Sequence, residues 1–299
     1  MARTAEFRRL LATGGPIVAP GATDAFTARL IEAAGFEVVY VTGGGMANTF
    51  LGAPDIGLVT QMELASHAKR ISDAVSVPVF ADCDTGFGGV ANVRRSVKEY
   101  EAAGLAGLHI EDQRFPKRCG HFENKAIVPA DEMLYRLQAA LDARTDPDFV
   151  IIARTDARAV EGFEAALARA QTYRDIGADV LFIEAPQSID ELRHIGERFR
   201  GIPLVANIVE NGKTPIVPAV ELARLGFNLI IYANSALRLG AFAIRAGLKV
   251  LREAGSTETL LDRMITFEDR QLLVGLAQND DYERDLVARV QASKKHVRT

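Results

Sequence analysis

One short run puts a thiol, an imidazole and two permanent cations side by side: Phe115-Pro116-Lys117-Arg118-Cys119-Gly120-His121. A lone cysteine is most often a small buried hydrophobe, and Cys83, the other cysteine in the chain, reads that way. Cys119 reads differently. Lys117, Arg118 and His121 are expected to lower its pKa and to keep the thiol near an anionic ligand. From its neighbours alone it could be a nucleophile, a redox group or a metal ligand.

A second group consists of carboxylates. Asp82 and Asp84 are two apart at the end of an apolar run, so on a strand both point to one face. Two close carboxylates repel unless a proton or cation lies between them. One such aspartate alone would read as a turn-former. With Glu111 at the end of another apolar run, the set reads as an oxygen-only site for a hard divalent cation, Mg²⁺ or Mn²⁺. A third group is Thr42-Gly43-Gly44-Gly45, either a flexible turn or a nest of backbone N–H groups for an anion. Opposite Arg154, which can bind a carboxylate bidentately, it becomes a carboxylate clamp. Tyr40 shares the face of Thr42. His109 sits mid-strand and reads as a core histidine; His67 and His194 read as surface residues on helices.

These groups share a position: each lies where a β-branched, apolar run stops. Eight such runs end at Ala22, Gly45, Asp84, Asp112, Asp156, Ala185, Ile208 and Asn234. Helical patterns separate them, among them Ala25 to Ala34 behind Asp24, Glu63 to Ala74, Val93 to Ala103, Gly162 to Ile176, Ile189 to Phe199 and Ala219 to Leu225. Met46 to Thr60 reads as a long connection. Near-continuous apolar strands alternating with helices imply a parallel sheet covered by helices, and eight units close into a (β/α)₈ TIM barrel. An open doubly wound sheet would favour G-x-G-x-x-G after its first strand; here that stretch is Pro20-Gly21-Ala22-Thr23. Beyond the barrel, Ser235 to Glu253, Thr257 to Met264 and Glu268 to Ala292 read as extra helices, and Ser293 to Thr299 as a frayed basic tail. One domain over 1–299 is expected, with a helical extension from 256 onward.

Composition fits this reading. The 299 residues are 48% hydrophobic and 25% charged, with a net charge of −4. That gives no basic excess for nucleic acid and no basic amphipathic helix for a membrane surface. No signal-peptide pattern and two cysteines point to a cytoplasmic protein with reduced thiols.

The chain resembles the isocitrate lyase/phosphoenolpyruvate mutase superfamily over nearly its whole length. The likeness rests on Tyr40-Val41-Thr42-Gly43-Gly44-Gly45, Gly52-Ala53-Pro54-Asp55, Asp82-Cys83-Asp84-Thr85-Gly86-Phe87-Gly88, Gly107-Leu108-His109-Ile110-Glu111-Asp112-Gln113, Lys117-Arg118-Cys119-Gly120-His121 and Ala153-Arg154-Thr155-Asp156-Ala157. The cysteine motif is specific to the lyase side, within which the chain looks most like the 2-methylisocitrate lyases. The resemblance implies a Mg²⁺ site held by Asp82 and Asp84 with Glu111 and Asp55, and a mobile loop carrying Cys119. It implies Thr42, Gly43 and Gly44 on the oxoacid carboxylate and Arg154 on substrate oxygens. Gly120, His121 and Asn207 would bind the other carboxylate, with Glu184 and Ser235 nearby. It implies a homotetramer whose C-terminal helices are exchanged between paired subunits.

The activity it implies is retro-aldol cleavage of a 2-hydroxy di- or tricarboxylate, 2-methylisocitrate to pyruvate and succinate first. Cys119 would be the acid and Tyr40 the base. After the cysteine, methylisocitrate lyases commonly read H-R-P-N-K, where this chain has His121-Phe122-Glu123-Asn124-Lys125; Val209 replaces a threonine. Asn211-Gly212-Lys213-Thr214-Pro215 looks more like 2,3-dimethylmalate lyase and oxaloacetate acetylhydrolase relatives, which makes a 2-alkylmalate or oxaloacetate the alternative substrate. Phosphonate chemistry is a more distant alternative, because breaking a P–C bond needs no thiol acid.

Overall fold

The computed structural model describes residues 2–296. The chain divides into two compact units, one ending at Gly240 and the other starting at Ala241. The first unit contains strands β1 (Ile17–Ala22), β2 (Val39–Val41), β3 (Val79–Asp82), β4 (Gly107–Glu111), β5 (Val150–Thr155), β6 (Val180–Ile183), β7 (Val205–Asn207) and β8 (Leu229–Tyr232). Helix α1 (Arg3–Ala12) precedes them. Between them run α2 (Ala25–Ala33), α3 (Gly43–Phe50), α4 (Gln61–Ala74), α5 (Val90–Ala102), α6 (Ala130–Ala143), α7 (Ala157–Val160), α8 (Phe163–Asp175), α9 (Ile189–Arg198) and α10 (Ala219–Arg224).

All paired strands are parallel, in the order β6-β5-β4-β3-β2-β1-β8-β7. A parallel bridge from Leu181 to Leu204 brings β6 to β7 and nearly closes the sheet. This is the (β/α)₈ barrel that eight alternating units predict.

Alternation along the strands sorts the core into two layers. Ile17, Tyr40, Phe80, Ile152 and Phe182 point inward and fill the barrel. Phe7 of α1 stacks on Phe80 with ring centroids 5.4 Å apart and plugs one end. Val41, Ala81, Ile151 and Leu181 point outward under the helices. The inward row turns polar at the C-terminal strand ends: Phe80 is followed two residues on by Asp82, Ile152 by Arg154, Phe182 by Glu184 and Val205 by Asn207. The apolar layers below favour folding by roughly 1.5–3 kcal/mol per large side chain. That sets off the cost of a polar layer at the mouth, which must be paired to be tolerated.

Local sequence explains several helix starts. Asp24 accepts from the Thr27 N–H, and Thr60 and Glu63 form a reciprocal capping box. Three expectations are corrected. Met46 to Thr60 is not all connection, because α3 begins at Gly43 and runs to Phe50. Three glycines are poor helix formers; their place in a helix is decided by tertiary contact, as described below. Strand β3 stops at Asp82, since Asp84 has a left-handed φ of +44°. Helix α6 and the short helices α1 and α7 had no clear signal. His67 is half-buried, with Nε2 against the Thr23 carbonyl at 2.5 Å, whereas His194 is exposed.

Helix α11 (Ser235–Ala254) ends in the second unit, which also contains a 3-10 turn (Glu258–Arg263), α12 (Phe267–Leu273) and α13 (Leu276–His296). The helix expected over Thr257 to Met264 is that 3-10 turn. The one expected over Glu268 to Ala292 is broken at Gly275, whose φ is +81°. No residue of α11 or α12 is buried, and Phe242 and Phe267 are 68% and 73% exposed. Of the tail, residues 297–299 lie outside the described residues.

Candidate active site

Asp82 ends β3, on the inward side. The turn after it brings Asp84 back, so that the Asp84 N–H donates to Asp82 Oδ1 at 2.8 Å. The two carboxylates are therefore joined by a left-handed turn rather than by strand alternation. Lys117 was expected beside the thiol. It is buried instead among carboxylates, with Nζ 2.6 Å from Asp55 Oδ1 and 2.8 Å from Asp84 Oδ1. Burial pushes the Asp84 carboxyl up to about 7, against the pull of Lys117. Burial also pushes Glu111 well above the ordinary carboxylate range, although Arg154 Nε lies 3.3 Å away.

The glycines of α3 now have a reason. A Cβ on Gly43 would lie 2.6 Å from Asp82 Oδ2, and one on Gly44 would lie 3.0 Å from Asp55 Oδ2. Only bare backbone fits between these carboxylates. Thr42 caps the helix, accepting from the Gly45 N–H at 3.1 Å and donating to Asn234 Oδ1 at 3.3 Å.

The Cys119 loop is fastened down at several points. The Cys119 N–H donates to the Asp55 carbonyl at 3.3 Å. A Cβ on Gly120 would lie 2.7 Å from the Glu184 side chain and closer still to Arg154 Nη2, so this backbone rests on the strand ends. Lys125 Nζ donates to the Gly120 carbonyl and to Asp156 Oδ1, the latter at 2.6 Å. Gln113 clamps Arg118 through both its backbone groups, at 2.8 and 2.9 Å. His121 Nδ1 accepts from the Lys213 N–H at 3.0 Å, and its Nε2 lies 3.0 Å from Glu184 Oε1. In this setting burial pushes the Cys119 thiol up, the reverse of the expectation from its neighbours in sequence. The nearest lysine in sequence is spent on Asp55 and Asp84. A thiol held protonated suits proton donation better than nucleophilic attack.

Arg154 is the hinge between the two groups. It makes a forked contact with Asp156 at 2.9 and 3.2 Å and lies 3.5 Å from Glu184 Oε2. Asp156 is in turn held from outside the barrel. Its N–H donates to Asp112 Oδ1 at 2.8 Å, and Asp112 also accepts from Thr155 and Tyr173. Asn207 Nδ2 reaches both Glu184 oxygens at 3.3 Å. Ser235 donates to Glu210 rather than facing these groups. Tyr40 lies inside the barrel, its hydroxyl 2.8 Å from His109 Nε2. Burial and the Asp82 charge push the phenol well up, and burial brings His109 down to about 4, so both are neutral here.

The donor set fits a hard cation in kind. Among the described residues, six carboxylates (Asp55, Asp82, Asp84, Glu111, Asp156, Glu184) face three permanent cations, Lys117, Arg154 and Lys125, with His109 beside Asp82 and His121 beside Glu184. Among the described residues, buried Glu111 Oε1 has no hydrogen-bond partner. A closed chelate is not preformed: among the described residues, no three carboxylate, imidazole or thiol groups converge closely enough to hold a metal.

The family model for phosphoenolpyruvate phosphomutase matches residues 7–252. The chain belongs to the PEP mutase/isocitrate lyase superfamily. It is similar to 2,3-dimethylmalate lyase of Eubacterium barkeri, with 43% identity covering 95% of this chain and 98% of that protein. A crystal structure of a 2,3-dimethylmalate lyase, a member of this superfamily, superposes with a TM-score of 0.91 at 36% identity, covering 96% of each chain. The 2-methylisocitrate lyase of Salmonella typhimurium is 46% identical over 87% of this chain and 88% of that protein. A phosphonopyruvate hydrolase solved with oxalate and Mg²⁺ has a TM-score of 0.84 at 30% identity, covering 97% of this chain and 99% of that one. The lyases among these relatives place the chain among the superfamily's carbon–carbon lyases.

Within this superfamily frame, four residues join the site that sequence reasoning had left out. Lys117 had been counted only as a neighbour of the thiol. Lys125, Asp156 and Gln113 lay inside quoted motifs without a role. A signal existed for Asp156: it continues the inward parity of Ile152 and Arg154.

Proposed function

We propose that this protein cleaves a 2-hydroxy di- or tricarboxylate by a Mg²⁺-dependent retro-aldol reaction. The observation that carries the reading is the seat of Cys119. A half-buried thiol, whose pKa is pushed up by desolvation, rides on a loop pressed onto Arg154 and Glu184, beside a surplus of buried carboxylates. In the reaction the 2-hydroxyl loses its proton and the C2–C3 bond breaks. Its electron pair passes to C3, which Cys119 protonates. The products are a 2-oxoacid and a second carboxylic acid. When bound, Mg²⁺ would hold the 2-oxygen and offset the charge that makes a Tyr40 phenolate costly. Asp82, Asp84, Glu111 and Asp55 are the residues that would hold it, directly or through water. Tyr40 is the residue we assign as base. Arg154 and the N-terminal backbone of α3 orient the oxoacid end, and Gly120, His121 and Asn207 the other. Identity with the Salmonella enzyme favours 2-methylisocitrate, giving pyruvate and succinate. A specific observation favours 2,3-dimethylmalate as the second reading: Lys213, at the rim, is neutralised by Glu123 at 2.6 Å. That leaves it no free charge for a third substrate carboxylate.

The test is a coupled 2-oxoacid assay on 2-methylisocitrate, isocitrate and 2,3-dimethylmalate, and acetate detection with oxaloacetate, each with Mg²⁺ and with EDTA. Cleavage of one of them, abolished by EDTA, is expected. No turnover of any with Mg²⁺ present would sink the reading. Cys119→Ala should lose at least a hundredfold in kcat, the range of one general acid, yet still bind oxalate by calorimetry. Parental turnover in that variant would remove Cys119 from its role.

We further propose that a second copy of this chain covers the exposed apolar residues of the C-terminal unit. Phe242, Leu248, Leu261 and Phe267 are each at least 60% exposed, more apolar surface than a small isolated unit keeps in water. A homotetramer is expected. Light scattering that finds a stable monomer at micromolar concentration would contradict it. Among the described residues no helix is long and apolar enough to cross a membrane.

A further inference from the structure

We propose that Glu123 and Lys213 are positioning residues that hold His121 in one tautomer against Glu184. His121 Nδ1 accepts the Lys213 N–H at 3.0 Å, so its proton is on Nε2, 3.0 Å from Glu184 Oε1. That hydrogen bond joins the Cys119 loop to the loop after β7. The Glu123–Lys213 ion pair spans the same two loops at 2.6 Å, two residues beyond His121 and on the very residue that donates. It therefore clamps both ends of the bond that sets the ring. Gly212 completes the seat. A Cβ there would lie 2.6 Å from Nδ1, so only glycine leaves room for the imidazole. The other loop tethers, Lys125 on Asp156 and Gln113 on Arg118, hold residues 118 and 120 and leave the imidazole free to turn. The ion pair is the outermost tether, with Glu123 77% and Lys213 23% exposed, so salt screens it. The consequence for turnover rests on the lyase reading; the tautomer does not.

The test uses the full chain with ¹⁵N-labelled imidazoles, the His121 signal being the one lost in His121→Gln. The parent should show unprotonated Nδ1 and protonated Nε2. Glu123→Gln and Lys213→Gln should each mix in the other tautomer and lower kcat/KM by about two- to fivefold, the range of an exposed ion pair. The exchanged pair, Glu123→Lys with Lys213→Glu, should recover both. Raising salt should bring the parent to the level of the single variants. Gly212→Ala should disturb the His121 signal with the ion pair intact. Single variants with unchanged spectra and rates would overturn the proposal, as would losses that the exchanged pair does not recover. A parent that cleaves no 2-hydroxy acid would sink the lyase reading and leave the spectra to decide this one.

Discussion

Asp156→Asn should be the most damaging isosteric change in the site. Its carboxylate is fully buried and shared by two buried cations, Arg154 at 2.9 and 3.2 Å and Lys125 at 2.6 Å. Removing one partner of a buried ion pair costs about 3–5 kcal/mol, because the remaining charge is left in a poor solvent. Arg154 retains Glu111 at 3.3 Å and Glu184 at 3.5 Å, and asparagine keeps one acceptor. The expected loss is therefore at the lower end, about 3 kcal/mol. At about 2–4 °C per kcal/mol for a chain of this size, Tm should fall by about 6–12 °C. Asp73→Asn breaks an exposed pair with Lys69 and should cost less than about 1 kcal/mol. Thermal unfolding of both variants, with kcat/KM from the 2-oxoacid assay, makes the comparison. Activity should fall too, since Lys125 also holds the Gly120 carbonyl. The pH dependence follows from the charges. Burial pushes Asp156 up, but Arg154 and Lys125 outweigh it and hold the carboxyl below its ordinary value. Its contribution is then full at neutral pH and is lost only as pH falls below its unfolded value, near 3.9. An Asp156→Asn variant melting within 2 °C of the parent at pH 7 would refute the reasoning.

Lys117→Met removes the cation between Asp55 and Asp84, so Tm without metal should fall and Mg²⁺ should restore more of it than it adds to the parent. An equal Mg²⁺ shift in both would show that lysine and metal do not share those carboxylates. Gly43→Ala should lower kcat/KM at least tenfold, because the new methyl would push on the Asp82 side chain, with Oδ2 at 2.6 Å and Cγ at 3.0 Å. Parental kinetics there would mean that Asp82 can shift without consequence. Phe242→Asp with Phe267→Asp should move the protein to a smaller species in light scattering; no change would place the subunit contact elsewhere.

How far the sequence reaches depends on the range of the interaction that decides each feature. The barrel was legible because its signal is local. Each strand announces itself by a β-branched run, and parity then sends Asp82, Arg154, Glu184 and Asn207 to one mouth. Cys119 stood out because its unusual neighbours are adjacent in the chain. What stayed hidden is set by contacts between distant residues. Helix α3 begins with three glycines, which propensity scores as a loop. It is a helix because Asp82 and Asp55, 39 and 11 residues on from Gly43 and Gly44, leave no room for side chains. Lys117 lies two residues from the thiol in sequence, but Asp55, 62 residues away, decides where its charge goes. The expected chemistry of Cys119 is reversed as well. Burial, with the Asp55 and Glu184 charges, outweighs the pull of Arg154, so the thiol keeps its proton. The acid role of Cys119 thus rests on burial more than on its neighbours in sequence. Lys117 still joins the metal question to the proton-donor question: a cation that displaced it from Asp84 would free a second charge, beside Arg154, able to acidify the thiol.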